Sequence, residues 1–201
     1  MKKTKLNLPN TLSIIRVILV PIFVATLLFM RNIPIWGSIV PALIFIITGV
    51  TDTLDGNIAR KYNLVTDFGK FIDPLADKFL IIGSQIAVLV WLFLLGEAYF
   101  TMAMIFLWVA LVVLFRELGV TSIRLVVAGK SGIVVAATML GKIKTLTQMI
   151  CIVTLVVEPI LPFFNEYHIL SYTTMAVMTF TTLVSGYDYL KAYMPYIDSN
   201  Q

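Results

Sequence analysis

Six long apolar runs dominate the chain, and short polar segments separate them. The runs cover roughly residues 11–30, 36–60, 70–95, 101–127, 140–163 and 169–193. An α-helix needs about 20 mostly apolar residues to cross a hydrocarbon core of about 30 Å, and each run is at least that long. Because the connections are short, consecutive helices are expected to run antiparallel. The pattern predicts an all-α, polytopic membrane protein, with residues 1–201 forming a single domain built as a bundle of six transmembrane helices.

The composition supports this prediction and excludes an ordinary soluble domain. Hydrophobic residues make up 59% of the chain and charged residues 13%, whereas soluble domains carry about a quarter charged residues. The first apolar run is longer than the core of a cleaved leader, so we interpret it as a retained span. Asn7–Asn10 are expected to start a short N-terminal interfacial segment, in which Asn10 either caps the first helix or contacts a substrate; the cap is favoured.

The basic residues predict the orientation of the bundle. Fourteen of the fifteen Lys and Arg residues fall on one set of termini, connections and adjoining helix ends, and only Arg31 falls on the opposite set. By the positive-inside rule, the first set is cytoplasmic and both termini lie inside. Glu158, Glu166 and His168 then lie on the outer side, where no chemistry is expected. The expected location is a bacterial cell membrane, with any functional site near the basic, cytoplasmic side.

Four aspartates in residues 51–78 carry most of the functional information. Asp52 and Asp55 are three residues apart near the end of the second run, and Asp73 and Asp77 are four apart near the start of the third. Residues with these spacings share a helix face. The turn between the two runs is short, so the four carboxylates are expected to converge near the cytoplasmic face.

Carboxylates in a membrane are costly and indicate function by default. Hard divalent cations such as Mg²⁺, Mn²⁺ and Ca²⁺ take oxygen ligands, and paired ions recur in phosphoryl chemistry. Gly56 allows a ligand to approach the backbone, Ala59 keeps the same face open, and Arg60 can bind phosphate with its planar fork. The alternative is structural: the acids form interfacial ion pairs with nearby lysines, and Gly56 only packs helices. The lysines concerned are Lys61, Lys70 and Lys78.

The spacing of these residues resembles the signature of the CDP-alcohol phosphotransferase family, D-x2-D-G-x2-A-R-x8-G-x3-D-x3-D. All eight positions match, without a departure in spacing. They are Asp52, Asp55, Gly56, Ala59, Arg60, Gly69, Asp73 and Asp77. The six-helix arrangement is also similar to that family, so the resemblance covers essentially the whole chain.

The resemblance implies a site and a reaction. The four aspartates would ligate a divalent metal, Mg²⁺ or Mn²⁺, as two ions. The metals and Arg60 would hold the pyrophosphate of CDP-diacylglycerol, with Gly56, Ala59 and Gly69 lining the nucleotide site. Asp77 would be the general base that deprotonates the acceptor hydroxyl, although metal ligation would weaken it as a base. The resemblance also allows a homodimer, which nothing in the sequence establishes.

A basic cluster bears on the acceptor. Arg116, Arg124, Lys142 and Lys144 are expected at the depth of the acids, where they would bind a phosphorylated acceptor. The alternative is that they only follow the positive-inside rule and snorkel to lipid headgroups. The flanking segments NLPNTLSIIRVILVP and FRELGVTSIR resemble family members whose acceptor is glycerol 3-phosphate.

Two other kinds of function stay open at this point. Members that share the signature but use other acceptors include CDP-type cardiolipin synthase and phosphatidylinositol-phosphate synthase. A divalent-cation transporter is a remote alternative. A transporter should place acids near the bilayer midplane, often on broken helices, whereas these acids are expected near one face.

Overall fold

Six α-helices account for nearly all of the described chain. The computed structural model describes residues 8–61, 66–131, 139–162 and 167–197, except for the side chains at positions 8, 52–61, 67, 70, 130, 131 and 197. The helices are α1 (Leu8–Phe29), α2 (Trp36–Lys61), α3 (Asp67–Leu94), α4 (Phe100–Ser131), α5 (Met139–Val157) and α6 (Ile169–Ile197). No strand occurs in those ranges, so the predicted all-α class is confirmed.

The helices have the length and composition of membrane spans. Five of them are long and apolar enough to cross a bilayer, and the described apolar part of α2, Trp36–Thr51, is shorter. Many large apolar side chains point outward; Phe29, Trp108 and Phe180 are each more than 60% exposed. Such a surface is stable in lipid, not in water. The chain is an integral, polytopic membrane protein.

All six helices contribute to one continuous core. α1 packs against α2 and α3, α4 against α3 and α6, and α5 against α2, α3 and α6. The rings of Phe23 and Phe45, 5.3 Å apart, join α1 to α2. A second, smaller cluster joins α4 to α6 through Val120, Val127, Tyr189 and Tyr193. Association in lipid depends on such van der Waals packing and on hydrogen bonds between helices, and both occur here.

The two ends of the bundle differ from the prediction in detail. Leu8–Asn10 form the first turn of α1 and continue directly into it, while Asn7 lies outside the described residues. Asn10 is therefore not the N-cap of α1, and that interpretation is wrong. α5 ends at Val157 and is followed by a 3₁₀ turn, Glu158–Ile160.

The buried Glu158 has a structural role at the outer end. Its carboxylate accepts hydrogen bonds from the backbone N–H of Leu170 at 2.9 Å and of Ser171 at 3.0 Å. The hydroxyl of Ser171 donates to the same carboxylate. These bonds satisfy N–H groups in the first turn of α6 and place a negative charge at its positive end. Glu158 thus fixes α6 against the end of α5.

Candidate active site

The N-terminus of α3 is held by a small polar network. Thr66 is the N-cap, and its Oγ1 accepts a hydrogen bond from the backbone N–H of Gly69 at 3.0 Å. The side chain of Asn10 donates from Nδ2 to the same Oγ1 at 2.9 Å. The start of α1 is thereby fastened to the start of α3. The network sets the position of the turn that precedes Asp73.

Asp73 and Asp77 lie one turn apart on α3, and each meets a polar side chain of α1. The hydroxyl of Ser13 donates to Asp73 Oδ1 at 2.5 Å. The guanidinium of Arg16 donates from Nη1 to Asp77 Oδ1, also at 2.5 Å. Arg16 is fully buried, whereas the side chain of Asp77 is 52% exposed. We refer to Asp73 and Asp77 as the carboxylate wall.

The four basic residues of the predicted acceptor site come from α4 and α5. Lys144 donates to Glu117 Oε1, and Arg116 Nη1 lies 3.3 Å from the same oxygen. Arg116 Nη2 also donates to Ser185 Oγ at 2.6 Å, and its guanidinium lies 5.2 Å from the ring centroid of Tyr189. We refer to the four cations as the basic wall: Arg116, Arg124, Lys142 and Lys144.

A cavity of about 790 Å³ separates these two walls. All six residues of the carboxylate and basic walls line it, and its other polar lining residues are Lys78, Glu117, Thr121, Thr145 and Tyr189. Residues as far apart in the sequence as Asp73 and Tyr189 therefore face one space. The structure brings the predicted acids of α3 and the predicted phosphate-binding cations together, although it does not assign a role to either set.

Five of the remaining predicted site residues lie on α2. Asp52, Asp55, Gly56, Ala59 and Arg60 occupy the last part of that helix, and their side chains are outside the described residues. The helix ends at Lys61 and α3 begins at Asp67, so the two helix ends lie on the same side of the bundle.

The described donors fit a divalent cation in chemical type. Among the described side chains, no group of three or more His, Cys, Asp or Glu residues lies together. Two of the four predicted ligands, Asp73 and Asp77, line the cavity with oxygen donors, and the other two are among the side chains not described. Carboxylate oxygens suit Mg²⁺ and Mn²⁺. The metal stays a prediction.

Sequence reasoning missed the residues that surround the acids. Arg16 was considered only as a marker of orientation, and the ion-pair alternative named lysines and not this arginine. The available signal was a charged residue inside the apolar run SIIRVILVP, which by default indicates function in a membrane helix. No sequence signal points to Glu117, because its contact with Lys144 joins residues 27 positions apart on two different helices.

Comparisons with known proteins identify the family of the chain. The family model described as CDP-alcohol phosphatidyltransferase matches residues 6–185. A Bacillus subtilis protein named CDP-diacylglycerol–glycerol-3-phosphate 3-phosphatidyltransferase is 41% identical over 193 residues, covering 91% of this chain and 93% of the relative.

Two more distant relatives cover similar shares. A probable phosphatidylglycerophosphate synthase of Mycobacterium tuberculosis is 36% identical, over 92% of this chain and 80% of the relative. A Rickettsia bellii protein with the same name as the Bacillus relative is 34% identical, over 94% and 97%. The match spans all eight positions of the signature and both walls of the cavity, and the chain belongs to the CDP-alcohol phosphatidyltransferase family.

Proposed function

We propose that this protein transfers a phosphatidyl group from CDP-diacylglycerol to sn-glycerol 3-phosphate, giving phosphatidylglycerophosphate and CMP. The observation that carries the proposal is the cavity between the carboxylate wall and the basic wall. A lipid donor needs a site that opens near the membrane surface. A phosphorylated acceptor needs cations within one molecule's length of the reacting group. The cavity meets the second requirement, because acids and cations line the same space, and the relatives named above carry this activity in their names.

The residues of the chain divide the work of binding. Arg124 and Lys142, with Arg116 and Lys144 behind them, would hold the phosphate of the acceptor, since cations at short range bind a phosphate dianion strongly. Arg60 would bind the pyrophosphate of the donor, and Gly56, Ala59 and Gly69 would line the nucleotide site. The same cations make a cation-transport function unattractive, because they would repel the cargo.

The chemical step exchanges one phosphorus–oxygen bond for another. The acceptor hydroxyl oxygen bonds to the phosphorus that carries the diacylglycerol, and the bond from that phosphorus to the CMP oxygen breaks. Asp77, half-exposed at the cavity, would take the proton of the hydroxyl. Bound divalent ions, held by Asp52, Asp55, Asp73 and Asp77, would neutralise the charge that develops on the phosphoryl oxygens.

Two further features belong to the proposal. Both termini and the cavity would lie on the cytoplasmic side, as the distribution of basic residues predicts. The homodimer that the family resemblance allows stays a prediction.

An acceptor panel tests the proposed function. Purified protein in detergent would receive CDP-diacylglycerol, Mg²⁺ or Mn²⁺, and one of four acceptors: glycerol 3-phosphate, glycerol, phosphatidylglycerol or inositol phosphate. Of the four acceptors, we expect only glycerol 3-phosphate to give rapid CMP release. We expect no release with any acceptor when EDTA replaces the metal. Equal rates with phosphatidylglycerol or inositol phosphate would assign the chain to another acceptor class. Full activity in EDTA would contradict the metal site.

A further inference from the structure

α1 carries one polar face in an otherwise apolar helix. Asn10, Ser13 and Arg16 follow each other at intervals of three residues, so they lie along one face of the helix. All three are buried, with exposures of 5%, 0% and 0%. An arginine in a membrane helix is expensive to bury, and packing alone would be served better by an aliphatic residue. This face is not part of the eight-residue signature.

The polar face of α1 contacts α3 through three side-chain pairs. Asn10 contacts Thr66, Ser13 contacts Asp73, and Arg16 contacts Asp77. The partners on α3 are spaced by seven and four residues, so they also share one face of their helix. In two of the three pairs, the α3 partner is a carboxylate of the candidate site. The third fixes the N-cap of the helix that carries both carboxylates.

The contacts approach the carboxylates from behind. Ser13 and Arg16 are completely buried between helices, whereas Asp73 and Asp77 line the cavity. In each carboxylate, Oδ1 is the atom bonded to α1. A carboxylate anchored through one oxygen cannot rotate freely, so the plane it presents to the cavity is set by α1. Ligands of metals are commonly oriented by such outer hydrogen bonds.

We infer that α1 is a positioning element of the active site, in which Arg16 orients the carboxylate of Asp77 and Ser13 orients that of Asp73. This inference deepens the proposed function and rests on it for the identity of the substrates. Neither Arg16 nor Ser13 touches a substrate. Each acts through an aspartate: Arg16 through Asp77 and Ser13 through Asp73.

The test compares four variants of the full-length protein in detergent. Arg16→Met removes the charge and the fork, Arg16→Lys keeps the charge alone, and Ser13→Ala removes one hydroxyl. The matched control is Arg31→Met, because Arg31 is an exposed arginine near the opposite end of α1. The first readout is Mn²⁺ binding without substrates, followed by electron paramagnetic resonance of the free ion. The second readout is kcat and both KM values from CMP release.

The expected results separate positioning from general damage. Arg16→Met should weaken Mn²⁺ binding or lower kcat by about 10–100-fold, the usual effect of losing an outer-shell partner. Arg16→Lys should recover part of the loss, and Ser13→Ala should show a smaller loss in the same direction. The KM for glycerol 3-phosphate should stay within about threefold of the wild-type value in all variants. Ser13 and Arg16 lie behind the carboxylate wall, across the cavity from the basic wall that is proposed to bind this acceptor. Arg31→Met should match the wild type.

Several outcomes would overturn the inference. Unchanged or tighter Mn²⁺ binding together with unchanged kcat in Arg16→Met would show that α1 only packs. A rise in the KM for the acceptor alone would place Arg16 in acceptor binding. If Arg16→Met failed to fold, Ser13→Ala would decide, and wild-type values for that variant would count against positioning. A wild-type protein inactive with glycerol 3-phosphate would refute the proposed function, while the Mn²⁺ measurements would still judge the role of α1.

Discussion

Gly69 shows how a single hydrogen atom can be required at a residue of the signature. A Cβ built at this position lies 2.8 Å from Oδ1 of Asn10 and 3.2 Å from Oγ1 of Thr66. Asn10 is buried and bonded to Thr66, so it has little freedom to move aside. The glycine is therefore needed for the close approach of α1 to the N-cap of α3, in addition to any role in nucleotide binding.

Replacing Gly69 with Ala should displace Asn10 and weaken the cap. Loss of an N-cap typically costs about 1 kcal/mol, so we expect a lower melting temperature in detergent and slower CMP release. Gly119→Ala is the matched control, because nothing lies within 4 Å of the added carbon at that helical position. It should be neutral or stabilising by about 0.5–1 kcal/mol. Equal melting temperatures for the two variants would contradict the steric argument.

The Arg16–Asp77 pair should respond unequally to the loss of each partner. Asp77→Asn takes a carboxylate charge away from a fully buried guanidinium, and a buried cation that loses a counter-charge destabilises the fold. Arg16→Met leaves behind an aspartate that is half-exposed, which can be solvated. Thermal unfolding in EDTA should therefore show a larger loss of stability for Asp77→Asn. The reverse order would show that Asp77 is not the group that mainly compensates the buried charge of Arg16.

This asymmetry also affects how the base is tested. If Asp77 accepts the proton, Asp77→Asn should lower turnover by about 10²–10⁴-fold. The measured loss will include any unfolded fraction, so the rate must be normalised to folded protein. Retained turnover with weakened CDP-diacylglycerol binding would make Asp77 a metal ligand only.

At the level of elements, Glu117 joins α4 to α5, and Arg116 joins α4 to α6. Glu117 accepts from Lys144, which is 5% exposed, and Arg116 reaches Ser185 and Tyr189. Gly186 leaves room for this arginine, since a Cβ there would lie 3.2 Å from its Cγ. Two members of the basic wall therefore take part in helix packing, while Lys142 is exposed.

The difference between Lys144 and Lys142 gives a matched pair of variants. Lys144→Met should lower the melting temperature, because it leaves the partly buried Glu117 with one cation fewer. It should also raise the KM for glycerol 3-phosphate. Lys142→Met should raise that KM by a similar factor without a change in stability. Melting curves and CMP-release kinetics on the same preparations distinguish the two, and equal stabilities would show that the Glu117 contact contributes little.

The helices could be predicted from the sequence, whereas the contacts between them could not. The helices follow from apolar runs, because bilayer thickness dictates how long such a run must be. The predicted runs for α2 and α6 start at the residues where these helices begin, Trp36 and Ile169. The spacing of Asp73 and Asp77 places both on one face of α3. Their partners Ser13 and Arg16 lie about sixty positions earlier. Finding them requires knowing that α1 packs beside α3, which no local pattern specifies.

At the scale of the whole molecule, the cavity lies between α3 on one side and α4 and α5 on the other. α1 packs against α3 on the carboxylate side, α2 contacts both α1 and α5, and α6 supports the basic side through Ser185 and Tyr189. Consecutive antiparallel helices bring the start of α3, the end of α4, the start of α5 and the end of α6 to one side of the bundle. The connection containing Arg31 lies on the other.

Cysteine labelling tests the proposed orientation. Arg31→Cys should react with a membrane-impermeant maleimide in intact cells, because Arg31 is exposed on the side predicted to be outside. Lys191→Cys, exposed near the end of α6, should react only after the membrane is opened. The wild type should stay unlabelled in both cases, since its single cysteine, Cys151, is fully buried. The opposite pattern would invert the assignment and place the cavity outside.

The burial of Arg16 also has a consequence for how the protein is made. α1 precedes α3 in the chain, so the ribosome delivers the arginine to the membrane before its partner, 61 residues later, has been synthesised. A charged side chain in an inserting helix is opposed by about 2.5–3.5 kcal/mol at the bilayer centre and by less near the surface. We therefore expect the newly inserted α1 to keep this side chain at the headgroup level until α3 lies beside it.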